Sequence, residues 1–363
     1  MLNSGTKAFA LSPAPRVDWV DVAKGFCIAL VVMMHSTTGV EIAFAREGFM
    51  GDFVAWAQPF RMPDFFLIAG LFLARSIERD WRTYLDRKVL HFAYFYVLWM
   101  VIQCTIKCSI TAEHWYDVPL HMVISLVEPF GTLWFVYILP IFFITTKLLR
   151  RVAPVAILAV AALLEILPIH TGWTVIDEFA ARYVYFFAGY AFAPLAFRVA
   201  EEVRQHPLPA LGLLAVWGAL NTVAVTTEVH VLGWTGSASV LPVVSLILGG
   251  LGAFAVISLS ALLTDSPFGK LFRYMGERSI VVYLAFFLPM ALLRTVLHKI
   301  APDMDVALVS IAVTLFAISV PLLMDVTIRR TGGLGSFLFR RPNWARLVPE
   351  KPARPTGHLV PAE

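Results

Sequence analysis

The chain has 363 residues, of which 59% are hydrophobic and only 15% are charged, and its mean hydropathy is +0.75. A soluble globular domain carries nearer a quarter charged residues, so this composition excludes a soluble protein. The formal net charge of +4 does not indicate nucleic-acid binding, because the basic residues are spread over short segments between apolar blocks and a basic C-terminal tail.

Apolar blocks of the length needed to cross a membrane recur along the chain. A hydrocarbon core about 30 Å thick is crossed by roughly 20 apolar residues in a helix. The sequence therefore predicts an all-α polytopic membrane protein of about ten transmembrane helices. The predicted spans are 20–38, 53–75, 89–108, 131–149, 152–170, 179–198, 208–227, 238–263, 279–297 and 305–327.

Ten spans place both termini on one side of the membrane, and the positive charges indicate which side. With a cytoplasmic N-terminus, 22 of the 29 Lys and Arg residues lie in inner loops and tails, and 5 lie in outer loops or at outer helix ends. Short cytoplasmic loops carry an excess of Lys and Arg. We therefore predict that both termini are cytoplasmic.

The same pattern divides the chain into three parts. A cytoplasmic N-terminal segment (1–19) precedes the transmembrane domain (20–328), and a basic, proline-rich cytoplasmic tail (329–363) follows it. The composition of the tail is typical of a poorly ordered segment. Between the third and fourth spans, residues 109–130 are predicted to form an interfacial loop or half-helix.

Charged residues inside the predicted spans are the first functional candidates, because a charge in the bilayer is costly unless it faces a cavity or a partner. The first span contains Lys24 and His35, and His35 is the only one of nine histidines well within an apolar run. The second span contains Arg61 and Asp64 on either side of Met62-Pro63. These four residues define the predicted site.

Depth along each span places two of these residues at one level. At a rise of about 1.5 Å per residue, His35 lies roughly 22 Å from the inner edge of span 1 and Arg61 roughly 21 Å from the inner end of span 2. Eleven residues are close to three helical turns, so Lys24 and His35 project from one face. Trp134 and Glu128, near the outer start of span 4, are predicted to approach the layer of His35 and Arg61.

Each candidate also has a structural interpretation. Lys24 can pair with Asp21 at i, i+3 or extend to the inner interface. His35 can serve as a structural hydrogen-bonding group. Arg61 and Asp64 can form an ion pair that only holds the helices together.

The chemistry that suits a lone intramembrane histidine is general base catalysis. A neutral imidazole can take the proton of a sugar hydroxyl as its oxygen attacks an acyl carbonyl. Arg61 can then stabilise the oxyanion or orient Asp64 and His35. Serine-hydrolase, zinc and nucleotide-binding motifs are absent from the sequence, so we expect no metal and no permanently bound cofactor, and coenzyme A thioesters remain candidate donors. Direct transfer is favoured over a serine acyl-enzyme, with a transient acyl-imidazole as the alternative.

Two stretches resemble the acyltransferase type 3 family of membrane proteins, especially its branch similar to fucose 4-O-acetylases. The first is 16–25 (RVDWVDVAKG), which continues to His35. The family has there a basic residue, ten residues and a histidine, and Lys24 takes the place usually held by arginine. The second is 62–70 (MPDFFLIAG), similar to the family pattern M-P-x-F-F-x-x-S-G with Ala69 in place of serine.

Weaker matches follow at 132–135, 185–190 and 276–284, so the resemblance covers all ten spans. Two departures from the family pattern affect the donor site. Lys24 lacks the bidentate fork of arginine. The stretch 285–287 (AFF) stands where the family often has a histidine after a Tyr-Leu pair.

The resemblance implies transfer of an acetyl, succinyl or other acyl group from acyl-coenzyme A to a sugar hydroxyl of a surface or secreted glycan. It implies that His35 is catalytic and that Lys24 and Arg61 bind or orient the donor, Arg61 being the second predicted catalytic residue. The remaining predicted substrate- or donor-binding residues are Asp21, Asp64, Trp134, Glu128 and Tyr283.

The sequence thus predicts a multi-pass O-acyltransferase of the bacterial inner membrane, in contact with membrane lipid. It uses acetyl-coenzyme A as co-substrate and acts on an exopolysaccharide, a lipid-linked oligosaccharide or a similar glycan. The alternative is a transporter or flippase, because intramembrane charges beside a proline-interrupted helix also describe a substrate pathway. The absence of a recognisable internal repeat counts against that alternative.

Overall fold

The computed structural model describes residues 17–348 except 112, 113, 115, 232 and 233. Much of the predicted segments 1–19 and 329–363 therefore lies outside the described residues. The described residues form sixteen α-helices, a π-helix, four short 3-10 turns and one two-stranded hairpin. In chain order these are α1 (Asp18–Phe44), α2 (Phe49–Gly70), α3 (Ala74–Ile77), α4 (Trp81–Leu85), the π-helix (Asp86–Leu90), α5 (His91–Thr111), α6 (Asp117–Ile124), a 3-10 turn (Gly131–Leu133), α7 (Trp134–Leu148), α8 (Pro154–Ile166), α9 (Thr174–Ala191), α10 (Ala193–Gln205), α11 (Pro207–Thr226), β1 (Glu228–Val231), β2 (Trp234–Ser237), a 3-10 turn (Ala238–Val240), α12 (Pro242–Leu263), α13 (Pro267–Glu277), α14 (Ser279–Ala285), α15 (Phe287–Ile300), α16 (Val306–Arg330) and two 3-10 turns (Ser336–Leu338 and Asn343–Ala345).

The helices make this an all-α polytopic membrane protein. In the described part of the chain, six helical stretches are long and apolar enough to cross a membrane: α1, α4 through α5, α7 with its preceding 3-10 turn, α11, α12 and α16. Two bent pairs, α9 with α10 and α14 with α15, raise the number to eight if each pair is one span.

Every predicted span overlaps a helix, but the predicted count of about ten is not confirmed. The 22-residue α2 is long enough, yet the polar residues around Arg61 and Asp64 lower its hydropathy. The apolar α8 has 13 residues, which at about 1.5 Å each is shorter than the hydrocarbon core. Residues 109–130 contain the short, exposed α6, in keeping with the predicted half-helix.

Prolines explain the two bends that the sequence prediction drew as straight spans. The axis turns by 72° between α9 and α10, where Pro194 at the start of α10 has no N–H to donate to the preceding turn. It turns by 51° between α14 and α15, where Pro289 cannot donate to the carbonyl of Ala285. The break at Phe286 lies beside the predicted catalytic histidine.

Glycines allow the helices around the site to touch through their backbones. A Cβ on Gly276 of α13 would lie 1.7 Å from the carbonyl oxygen of Asp21 on α1, and one on Gly25 would lie 1.9 Å from that of Phe272. Small residues at such crossings are typical of membrane helix packing. The contact fixes the distance between α1, which carries Lys24 and His35, and the start of α14.

Replacing Gly276 with alanine is expected to destabilise the protein by about 1–3 kcal/mol or more, because the added methyl overpacks a backbone contact. Thermal unfolding of the purified protein measures this. Gly212→Ala on α11 is the matched control, since a Cβ there meets nothing within 4 Å; its melting temperature should be unchanged or higher. Equal melting temperatures for the two variants would contradict the close packing of α1 and α13.

The described end of the tail is packed, whereas its composition predicted a poorly ordered segment. Beyond α16 the chain turns back, and Trp99 and Tyr94 of α5 donate hydrogen bonds to the carbonyls of Leu338 and Phe337. The side chain of Arg341 is buried. Proline content did not reveal these contacts, because they join residues about 240 positions apart.

Candidate functional site

A cavity of about 550 Å³ opens at the end of the bundle where α1 begins. We call it the cationic cavity, because five basic side chains line it and only two acidic ones do. The basic residues are Lys24, Arg75, Arg79, Arg87 and Lys88, and the acidic residues are Asp21 and Glu277. A polyanion is the ligand that such a lining favours.

Local contacts orient the cations of this cavity. Lys24 donates a hydrogen bond to Asp21 over 3.0 Å, so the predicted i, i+3 pair is present, and both residues still line the cavity. The guanidinium of Arg75 lies 5.2 Å from the ring centre of Phe72. The ammonium of Lys88 lies 4.7 Å from the ring of Phe143.

A buried lysine that does not line the cationic cavity stabilises the segment that forms part of the cavity wall. Lys147, 1% exposed, donates to the carbonyls of Ile77 and Arg79 over 2.6 and 2.7 Å. The next turn is capped by Asp80, and hydrogen bonds from Thr83 lower the pKa of this exposed carboxyl below its usual value. The segment that carries Arg79 is thereby fixed without using the side chain of Arg79.

A second cavity of about 220 Å³ adjoins the first, since Lys24 and Ser279 line both. We call it the inner cavity. Its remaining lining is mainly apolar and aromatic: Phe65, Ile68, Ala69, His91, Phe92, Phe135, Val136, Leu139, Ile280 and Tyr283. Lys24 and Ser279 thus stand between a charged lining and a mainly apolar one.

Tyr283 contributes its ring to the inner cavity and its hydroxyl to the fold. The hydroxyl donates to the carbonyl of Thr132 and accepts from the backbone N–H of Phe135 over 3.2 Å. These bonds tie α14 to the start of α7. Tyr283, a predicted substrate-binding residue, therefore lines the inner cavity with its ring, while its hydroxyl is already hydrogen-bonded to the backbone of Thr132 and Phe135.

His35 lies further along α1, past the inner cavity. Its half-buried ring lies 5.5 Å from the ring of Phe286, which in turn lies 6.3 Å from Tyr283. Within the described residues the imidazole has no hydrogen-bond partner, so neither nitrogen is committed to the fold. Lys24 and His35 both face α14 and the break after it, in agreement with the spacing of eleven residues.

Arg61 and Asp64 lie buried on α2. The guanidinium of Arg61 is close enough to His35 to act on it electrostatically, and that of Arg182 is close enough to act on Arg61. Arg61 is 9% exposed and Asp64 1%. Among the described residues, neither the Nε and Nη1 of Arg61 nor the carboxylate oxygens of Asp64 have a hydrogen-bond partner, and the structural ion pair considered for these two residues is not formed. A buried polar group without a protein partner calls for an explanation, and a catalytic role is one of them.

Glu128 and Trp134 line neither cavity, and the same holds for His35, Arg61 and Asp64. Glu128 accepts hydrogen bonds from the backbone and the hydroxyl of Thr174, so it caps the start of α9. The ring of Trp134 lies 5.9 Å from that of Phe66, behind the inner cavity. A role for either in substrate binding stays a prediction.

Several residues of the site were not singled out from the sequence. From the sequence, four of these cations were interpreted only as signs of topology: Arg75, Arg79, Arg87 and Lys88. With Arg82, the fourteen residues 75–88 hold five cations, and that density was the available signal. Arg294 was also missed: a Cβ on Gly39 would lie 2.5 Å from its Nη1, so its guanidinium packs against α1 one turn beyond His35.

Comparisons with known proteins bear on this arrangement. A family model described as an acyltransferase domain, that of acyltransferase type 3, matches residues 17–326. The Inner membrane protein YcfT of Escherichia coli (strain K12) is 25% identical over 236 residues, which cover 57% of this chain and 66% of that protein. The chain thus spans just under two thirds of the length of this curated relative. No solved structure matches the chain significantly.

Proposed function

We propose, since the chain belongs to the acyltransferase type 3 family, that this membrane protein transfers an acyl group from acyl-coenzyme A to a sugar hydroxyl. The acyl group is acetyl in the simplest case, and the acceptor is an exopolysaccharide or another surface glycan. The observation that carries the proposal is the succession of cationic cavity, inner cavity and His35 along α1 and α14.

The cationic cavity suits the nucleotide end of the donor. Coenzyme A carries several phosphate charges. The volume of the cationic cavity, about 550 Å³, is in the range of cavities that hold drug-sized ligands, about 300–1,000 Å³. Arg and Lys side chains bind phosphates through charge-assisted hydrogen bonds. The inner cavity is then the path of the pantetheine arm, whose thioester would approach Phe286 and His35.

The positive-inside distribution of Lys and Arg supports a cytoplasmic position for the cationic cavity, on the side where acyl-coenzyme A is made. The acceptor hydroxyl then approaches His35 from the far side, past Gly39 and Arg294. The name of the relative, an inner membrane protein, supports the bacterial inner membrane as the location.

The reaction follows from the groups near His35. One imidazole nitrogen takes the proton of the acceptor hydroxyl while its oxygen forms a bond to the thioester carbonyl carbon. Arg61 stabilises the negative charge that develops on the carbonyl oxygen. The carbon–sulfur bond then breaks, the thiolate of coenzyme A leaves, and the imidazolium returns the proton to it.

Removing two cations of the cavity should weaken the donor's binding without slowing the chemistry. We expect Arg75→Ala/Arg79→Ala to raise the KM for acetyl-coenzyme A by about tenfold or more, with kcat nearly unchanged. Steady-state kinetics measure this, with S-acetyl-pantetheine, which lacks the nucleotide, as a second donor. Its KM should not change.

The control for this prediction is Arg151→Ala, in the exposed turn between α7 and α8. This variant removes one positive charge from a short loop that is predicted to be cytoplasmic, and Arg151 does not line the cationic cavity. If both donors were affected equally, or if Arg151→Ala matched the double variant, the cationic cavity would not be the nucleotide site.

The acceptor is tested in the host. Mass spectrometry of surface glycans, with and without this protein, should show an acyl substituent on a sugar that disappears when the gene is deleted and returns with the wild-type chain. Unchanged glycan acylation would overturn the proposed acceptor class.

A further inference from the structure

Residues 336–348 form what we call the C-terminal strap. Its first part lies along α5, where the indole of Trp99 donates to the carbonyl of Leu338 over 2.9 Å and stacks on Phe339 at 5.6 Å. The hydroxyl of Tyr94 donates to the carbonyl of Phe337 over 3.0 Å. The strap is therefore held on the outside of the helix that continues from the wall of the cationic cavity.

The strap donates hydrogen bonds to all three oxygen atoms of one buried residue, Asp86. Arg341 donates to the backbone carbonyl of Asp86 over 2.7 Å and to its Oδ2 over 2.8 Å, and the backbone N–H of Leu347 donates to Oδ1 over 2.7 Å. Both charged side chains are 4% exposed. Within the described residues, the C-terminal strap thus neutralises the carboxylate and donates a hydrogen bond to each of its oxygens.

Asp86 stands at a sensitive point of the cavity wall. It is the first residue of the π-helix Asp86–Leu90, and the next two residues, Arg87 and Lys88, line the cationic cavity while Asp86 does not. A π-turn inserts a residue into the helix and so re-aims the side chains that follow; such turns are frequent at functional sites. The strap therefore contacts the π-helix through Asp86, and the two residues that follow Asp86 present their cations to the cavity.

We propose that the C-terminal strap positions the donor site. Through Asp86, Arg341 holds the π-turn so that Arg87 and Lys88 face the phosphates of the donor, and it keeps the negative charge of Asp86 away from them. This inference rests on the proposed function and assigns Arg341 and Asp86 as positioning residues, since neither touches the donor.

The physical reason is the cost of a buried charge. Without Arg341, the carboxylate of Asp86 would be buried and unpaired, which a protein avoids by moving the group to water. Turning Asp86 outward rotates the π-turn, and this rotation carries Arg87 and Lys88 off the cavity. Donor affinity falls, although the groups around His35 are unchanged.

The test is calorimetric binding of desulfo-coenzyme A, a donor analogue without the thiol, to the full-length protein in lipid nanodiscs. We expect Arg341→Gln to weaken binding about tenfold. Arg340→Gln, which changes an exposed neighbour in the strap, should stay within about twofold. The double variant Asp86→Asn/Arg341→Gln removes both charges and should recover most of the affinity.

A kinetic readout separates positioning from general destabilisation. Arg341→Gln should raise the KM for acetyl-coenzyme A and leave kcat and the KM for S-acetyl-pantetheine near wild type. Loss of activity with both donors would mean a merely structural strap. If Arg341→Gln does not fold, the double variant is compared instead with Asp86→Asn alone. The single variant Asp86→Asn leaves the guanidinium of Arg341 without its ion-pair partner. Equal donor affinities of these two variants would overturn the proposal.

The failure of this inference differs from the failure of the proposed function. If the wild-type protein does not bind desulfo-coenzyme A, the donor proposal itself is wrong. If the wild type binds it and Arg341→Gln binds it equally well, the strap proposal is wrong and the donor proposal stands.

Discussion

Replacing His35 with alanine is expected to lower the rate constant of acyl transfer by about 10²–10⁴-fold, the range that a positioned general base contributes. The imidazole packs on Phe286, which lies next to Tyr283 in the wall of the inner cavity, and it has no hydrogen-bond partner in the described chain, so its nitrogens are free to take a proton. Binding of desulfo-coenzyme A should be unchanged, because the cationic cavity lies about three helical turns away on α1.

The measurement is transfer of labelled acetyl from acetyl-coenzyme A to a glycan acceptor, at saturating donor. His170→Ala, in the exposed loop between α8 and α9, is the matched control and should keep wild-type activity. A His35→Ala protein that is folded, binds the donor and transfers label at the wild-type rate would contradict the role of His35.

Replacing Arg61 with methionine is expected to lower kcat by about 10²–10³-fold, as the loss of one oxyanion-stabilising group does. The same change should leave the melting temperature unchanged or raise it. Arg61 is 9% exposed, and its Nε and Nη1 have no hydrogen-bond partner in the part of the chain that the structure describes. An unpaired buried cation is costly, and an apolar side chain of similar length removes that cost.

Activity and thermal unfolding measured on the same preparation test this combination. Arg61→Lys keeps the charge without the planar fork, so it should retain part of the activity and none of the gain in stability. A large fall in the melting temperature of Arg61→Met would show that the guanidinium is a structural partner, and would remove the reason to assign it to the reaction.

The sequence predicted the positions of the membrane helices better than their shapes. Hydropathy located each apolar stretch because burial in lipid acts on about twenty consecutive residues. The bends at Pro194 and Pro289 depend on single missing N–H groups, and a window of that length averages them away. The hairpin of β1 and β2 lies between two predicted spans, where the search for apolar stretches made no prediction, and α10 extends beyond the end of the predicted span 179–198.

Within the site, spacing along single helices was informative and contacts between distant segments were not. Helical arithmetic predicted that Lys24 and His35 share one face and that Arg61 lies at the level of His35. Lys24 lies against Ser279 and His35 against Phe286, at the two ends of α14, while the common level of Arg61 and His35 stays a prediction. The cationic cavity joins the start of α1 to 75–88 and to 276–279. No local pattern reports which of these segments meet, so the cations of 75–88 were interpreted only as topology.

Besides Lys24, two departures from the family pattern lie along the proposed donor path. Ala69, in place of the family's serine, lines the inner cavity. Phe286, in the stretch where the family often has a histidine, packs on the ring of His35. Both make the surroundings of the thioester more apolar than the family pattern implies.

The central claim is that a donor entering from the cationic cavity gives its acyl group to an acceptor at His35. The most direct measurement uses purified protein in liposomes, radiolabelled acetyl-coenzyme A on one side of the membrane and a glycan acceptor on the other. We expect label to appear covalently bound to the acceptor, and only when the donor is on the side of the cationic cavity. Acceptor that crosses the membrane without acquiring label would contradict it and would favour transport instead.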